Sequence, residues 1–143
     1  MGYAALCCLL FAAGYLLNIT YITVFYHRGL THGAVELSPW ARWLVVNTGS
    51  WLTGLDPKGW SVMHRLHHQY SDTPQDPHSP TQFGILGVAF AQLESYKRIL
   101  RGLAKKDPQL MAVAHDLNFP VSWLNRKRLW YLPYLLHFTI WMA

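Results

Sequence analysis

HRLHHQYSDTPQDPH, residues 64 to 78, is the stretch whose reading decides the rest of the chain. His64, His67 and His68 stand at i, i+3 and i+4, so a helix lays their three imidazoles along one stripe about 60° wide, an arrangement suited to a metal ion. Arg65 and Leu66 point elsewhere. Pro74 and Pro77 cannot continue a helix, which predicts its end near Tyr70 or Ser71 and a rigid loop carrying Asp72, Asp76 and His78. Upstream, HRGLTH from His27 to His32 sets two histidines five residues apart, about 140° from each other on a straight helix. Two rings so placed do not grip one ion together. Either the helix breaks at Gly29, or each histidine serves a different ion of a two-metal site built with His64, His67 and His68; the two-metal site is the expectation.

The paired motifs HxxxxH and HxxHH, with the tail DTPQDPH, resemble the first two histidine boxes of the membrane fatty acyl desaturases, the stearoyl-type Δ9 group in particular. The resemblance is good from about residue 15 to 80 and loose beyond. The ligand types alone accept iron, copper, zinc or nickel. The resemblance implies iron: two ions on His27, His32, His64, His67 and His68, with O2 as co-substrate and a long-chain acyl-CoA or acyl-lipid as substrate. It also implies an electron donor such as a ferredoxin or a b-type cytochrome. Removing hydrogen from an unactivated methylene pair is beyond any side-chain acid or base, so no catalytic residue is expected apart from the metal ligands. Each ligating imidazole needs its other nitrogen hydrogen-bonded, and Asp72 and Asp76, with His78 nearby, are the candidates. For Asp72 an Asx-type turn before Thr73-Pro74 is an equal alternative. The family carries a third HxxHH box, a further histidine before it, and one more transmembrane helix ahead of the first box. Both ends of the chain are therefore expected to be incomplete, and the 143 residues alone to be inactive. Two other readings stay open: a related di-iron lipid hydroxylase or sterol desaturase, against which DTPQDPH argues, and a non-catalytic membrane fragment that binds metal weakly.

Composition agrees with a bilayer as the principal partner. The chain is 52% hydrophobic and 15% aromatic with only 13% charged residues, apolar for a soluble protein. Its net charge of +5 comes with no nucleic-acid module, so no nucleic acid is expected and the charge is assigned to the membrane surface. Residues 1–26 hold no charged side chain, and the run from Tyr3 to Tyr26 is long enough to cross a hydrocarbon core of about 30 Å. It lacks the basic start of a signal peptide and runs directly into the first box. Asn18, Thr20 and Thr23 are expected to face a neighbouring helix or an acyl channel. Cys7 and Cys8 form neither a disulfide framework nor a zinc spacing and act as small apolar side chains. All twelve Lys and Arg fall between Arg28 and Arg128, which places the boxes on the cytoplasmic side.

Between the boxes, Leu37 to Leu55 is nearly uncharged, with Ser38 as N-cap and Pro39 at the first helical position. A single crossing there would put the two boxes on opposite sides of the bilayer, so an interfacial or re-entrant helix is expected, with Trp40, Trp43 and Trp51 at headgroup depth. Residues 79–93 are too short to span. A separate helix from Glu94 to Lys105 is expected to present Leu93, Tyr96, Leu100 and Leu103 on one face and Lys97, Arg98, Arg101 and Lys105 on the other. That basic face suits anionic headgroups, the phosphates of a carrier, or plain solvent. Lys97, Arg98 and Arg101 are the substrate-headgroup candidates, with Trp60, which keeps its family position before the second box. Val62 and Met63 stand where animal acyl-CoA desaturases tend to carry a charged pair. His115 is read as structural and His137 as a packing or channel residue. The expected architecture is all-α and integral to the membrane. It comprises a transmembrane helix over 1–26, a catalytic part over 27–128 with cytoplasmic histidine-box helices, and the start of a second transmembrane helix over 129–143.

Overall fold

An uncharged aliphatic and aromatic run forms α1 (Tyr3–Thr20), and the helix continues without interruption as a π-helical segment, Tyr21–Thr31. The computed structural model describes residues 2–142; Met1 and Ala143, the outer ends of the two apolar segments, lie outside the described residues. Among the described residues every regular element is helical. Tyr3–Thr31 forms one helix of 29 residues, long and apolar enough to cross a membrane by length and composition. It overruns the expected boundary at Tyr26 and carries His27 within it.

α2 (Pro39–Thr53) starts where Ser38 Oγ accepts from the Ala41 amide (3.3 Å) and Pro39 opens the first turn. Asn18 Nδ2 reaches across to the Leu52 carbonyl of α2 (3.2 Å). The Thr20 and Thr23 hydroxyls do not reach across to another helix; each donates to the carbonyl four residues earlier in its own helix (2.7 Å each), a local bond that Thr makes inside a helix. Tyr26, fully buried, lies against Gly49 of α2, where a Cβ would overlap the phenol hydroxyl, and it donates to the Leu55 carbonyl (3.0 Å).

α3 (Pro57–Tyr70) carries the second histidine box and is the most deeply held element, with Pro57 through Met63 all buried. Asp56 caps it: Oδ1 accepts from the Gly59 amide (2.9 Å), and Oδ2 accepts from the Ser122 amide (2.6 Å) and from Asn125 Nδ2 (3.4 Å). Lys58, counted above among the membrane-surface charges, is instead buried and donates to the Leu117 and Phe119 carbonyls (3.0 Å each).

α4 (Pro80–Ala104) is one element where the sequence suggested a break at Glu94. An exposed carboxylate does not interrupt a helix, and the actual departure is at Gly84 (φ 68, ψ 170), a backbone conformation open to glycine. The buried stripe is Ser95, Ile99 and Leu103, with Tyr96 and Leu100 half-buried beside it, while Leu93 is 48% exposed and outside it. Short helices α5 (Pro108–Val113) and α6 (Trp123–Arg126) follow, and α7 (Leu132–Met142) runs back along α1 and α2. There Tyr134 donates to the Gly54 carbonyl (3.2 Å), and the Phe11 and Trp141 rings lie 5.9 Å apart.

Candidate metal centre

The π-helical segment corrects the reading of the first box. In a π-helix each amide donates to the carbonyl five residues back, and that bond is made here from the His32 amide to the His27 carbonyl (3.1 Å). Five residues therefore make roughly one turn, and the rings that an α-helix would separate come to lie 4.7 Å apart. The helix does not break at Gly29. A Cβ at Gly29 would meet Leu37 Cδ1 at 2.9 Å, so the glycine there serves the close approach of Leu37.

α3 brings His64 and His68 to the same place by ordinary α-helical spacing, and one nitrogen from each of His27, His32, His64 and His68 lies within 4.8 Å of the others. His64 Nε2 and His68 Nε2 are 3.0 Å apart. Imidazole nitrogens about 2.1 Å from one metal ion and at right angles to each other would be separated by about 3.0 Å, so the His64 and His68 nitrogens are spaced as two neighbouring ligands of one first-row divalent ion. The cluster favours neutral rings. His64 is pushed down to about 3 by its burial and by the neighbouring imidazoles, and His32 is lowered for the same two reasons with a further contribution from the Arg65 cation. Neutral imidazole is the ligating form.

His67 faces another way and forms a second group with Asp76 and His78. Its Nδ1–H donates to both carboxylate oxygens of Asp76 (2.9 and 3.0 Å), leaving Nε2 as the nitrogen free to ligate. The Asp76 side chain is wholly buried and also accepts from the Asp72 amide (3.0 Å) and the His78 amide (3.1 Å). Burial raises the Asp76 carboxyl, but the bond from His67 and the two amides together hold it below its ordinary value. His78 stacks on His67 at 4.6 Å, with its Nδ1 buried and without a hydrogen-bond partner. Asp72 does not reach a histidine: its Oδ1 accepts from Ser79 Oγ (2.7 Å) and Thr81 Oγ1 (3.1 Å), which ties the loop to the start of α4. The five histidines thus divide four and one, where the sequence suggested two or three for each ion.

Trp60 is 8% exposed and stacks on His64 (4.8 Å, 16°), with Tyr26 and His27 on its other sides. It forms the floor of the cluster. Arg98 and Arg101, with Lys105, Glu94 and Phe83, line a cavity of about 590 Å³ beside Pro77 and the histidine-box loop. Lys97 stays outside this cavity and pairs with Glu94 (2.9 Å), whereas Lys105, not singled out by the sequence for this role, stands inside it. His115 is exposed and bonds locally to the Ala112 carbonyl (3.1 Å). Sequence reasoning missed Asp56 and Arg65, most of whose partners lie tens of residues away; the placement of Asp56 as N-cap before Pro57 was the one local signal.

Curated relatives include the icosanoyl-CoA 5-desaturase of Limnanthes douglasii, 41% identical over 69 residues, which are 48% of this chain and 19% of that protein. Delta-9 acyl-lipid desaturase 1 of Arabidopsis thaliana is 39% identical over 61 residues, 43% of this chain and 20% of its own length. The palmitoyl-monogalactosyldiacylglycerol delta-7 desaturase of the same plant is 41% identical over 59 residues, 41% of this chain and 16% of its own length. Each alignment thus spans about a fifth of the relative. No solved structure matches. The sequence profile described as fatty acid desaturase matches residues 3–143, essentially the whole chain, and the chain belongs to the fatty acid desaturase family.

Proposed function

We propose that this chain supplies the first two histidine boxes of an O2-dependent di-iron desaturase that introduces a double bond into a long fatty acyl chain carried on CoA or in a lipid. The observation that carries the reading is the convergence of His27, His32, His64 and His68 on one point, with His67 set beside them on a carboxylate. His27, His32, His64 and His68 would hold one iron, and His67, through Nε2, would contribute to a second. Bound there, iron supplied with electrons by a ferredoxin or b-type cytochrome would provide the O2 chemistry that hydrogen removal from an unactivated methylene requires.

What the chain's own residues do follows from their contacts. Asp76 fixes the His67 tautomer by accepting from Nδ1, and so presents Nε2. Trp60 and Tyr26 close the floor of the cluster with buried rings and keep water from that side. Arg98, Arg101 and Lys105 offer cations to an anionic headgroup in the cavity beside the loop. The Tyr3–Tyr26 part of this helix would cross the bilayer, and the confinement of every Lys and Arg to residues 28–128 would keep the boxes cytoplasmic.

The test is expression in cells unable to make unsaturated fatty acids, with the chain supplied alone and within the open reading frame that contains it. New double bonds in acyl lipids from the longer product, lost on His67→Ala and absent from the chain alone, support the reading. A hydroxylated product would indicate the sibling chemistry, and no product from either would leave a non-catalytic metal-binding fragment.

A further inference from the structure

We infer that Arg65, which follows His64 in the second box and ligates nothing, is the positioning residue that sets the distance between the two boxes. Its guanidinium makes five hydrogen bonds, none of them to a histidine. Nε donates to the Thr31 carbonyl (3.0 Å) and Nη2 to the Leu30 carbonyl (3.2 Å). Nη1 donates to the Val113 carbonyl (2.8 Å), and Nη1 and Nη2 together grip the Asp116 carboxylate, the latter at 2.9 Å. The side chain is 18% exposed.

Leu30 and Thr31 end the π-helical segment, immediately before His32. The last carbonyls of a helix lack partners within it, and a cation there is favoured by both hydrogen bonding and the helix dipole. One side chain adjacent to His64 therefore fastens the end of the first box to the turn of α3 that presents His64 and His68. Asp116 holds the guanidinium plane from a third segment, so the fork cannot swing. Only arginine fits this role: five donors in a rigid plane match two carbonyls on one edge, a carbonyl and a carboxylate on the other, whereas lysine has three donors at one point. The clamp holds the first box in register, and without it the nitrogens of His27 and His32 move out of reach of those on α3.

The inference rests on the metal reading above, and the experiment separates the two. Cobalt(II) is titrated into the full chain in detergent, with affinity and visible ligand-field spectrum recorded for the native protein, His64→Ala, His32→Ala, Arg65→Met, Arg65→Lys and Asp116→Asn. Arg65→Met is expected to weaken cobalt binding about 10-fold or more, the scale of a lost supporting contact, and to shift the spectrum toward that of His32→Ala with helix content unchanged. Arg65→Lys falls between, and Asp116→Asn moves the same way by less. A spectrum and affinity unchanged in Arg65→Met would overturn the inference. Absence of binding by the native protein, or binding unaffected by His64→Ala, would overturn the metal reading instead. A metal-independent arm then still decides the clamp: hydrogen exchange at the His32 amide, which bonds to the His27 carbonyl at the end of the π-helical segment, should be at least several-fold faster in Arg65→Met than in the native protein. Equal rates would sink it, including if Arg65→Met alone folds poorly and Arg65→Lys is read in its place.

Discussion

α3 and α1 are both regular helices, of 14 and 18 residues, and they are held by opposite means. α3 buries seven residues in succession, is capped by a carboxylate that also reaches α6, and is clamped to the first box through Arg65. α1 buries none of its residues and presents Leu9, Leu10 and Phe11 at 56, 56 and 62% exposure. The histidine cluster is thus built on a frame that the protein makes from its own contacts. The apolar helix leading into it has no such frame and depends on what surrounds it, as a membrane-spanning helix does. Substitutions on the two helices should separate accordingly.

The largest effect is expected at Asp56. Asp56→Ala removes the acceptor for two amides and a side-chain amide at a site with no solvent access, and should cost about 3 kcal/mol of stability in detergent, read by denaturant unfolding. Gly49→Ala, which drives a methyl into the Tyr26 hydroxyl, should cost about 2 kcal/mol by overpacking and lower metal affinity by displacing the ring beneath the cluster. Acidification gives a smaller effect with a definite sign. The metal-free folded chain holds His64 at about 3, below the ordinary histidine value of 6.5, so the unfolded chain binds the proton first. Stability should therefore fall as pH drops from about 6.5 toward 3 and be constant above that window, and thermal unfolding of the metal-free protein checks it. The opposite slope would mean that His64 is neither buried nor crowded by its neighbours. Smallest of all, Leu10→Ala on α1 should change unfolding of the frame by no more than about 0.5 kcal/mol, because the side chain touches little of it. A loss comparable to Asp56→Ala would erase the contrast between the helices.

How much of this was legible depends on which period applied. The alignment of His64 and His68 followed from α-helical spacing and was visible in the sequence, as were the end of α3 at Tyr70 and the Ser38-Pro39 start of α2. The meeting of His27 with His32 was not, because the 3.6-residue period was applied to a segment that is π-helical, and nothing in YITVFYHRGLT announces an i→i+5 ladder. α4 was divided at Glu94 because polarity changes there, yet its backbone departs from the helix at Gly84, where no polarity changes. Arg65 was rightly turned away from the histidines, but its acceptors, at residues 30, 31, 113 and 116, are set by tertiary packing alone. Asp72 and Asp76 were both candidates to support a histidine, with a turn as the equal alternative for Asp72, and the fold assigns Asp72 to the loop and Asp76 to His67.

The most direct test of the four-and-one division is the ligand count on ferrous iron bound by this chain, read by X-ray absorption for the native protein and for His32→Ala and His67→Ala. The four-imidazole cluster predicts one principal ion with about four nitrogen ligands, reduced in count and affinity by His32→Ala and little altered by His67→Ala. Iron held equally well after His32→Ala, and lost after His67→Ala, would show that the second box binds the ion by itself and would contradict the convergence of the two boxes.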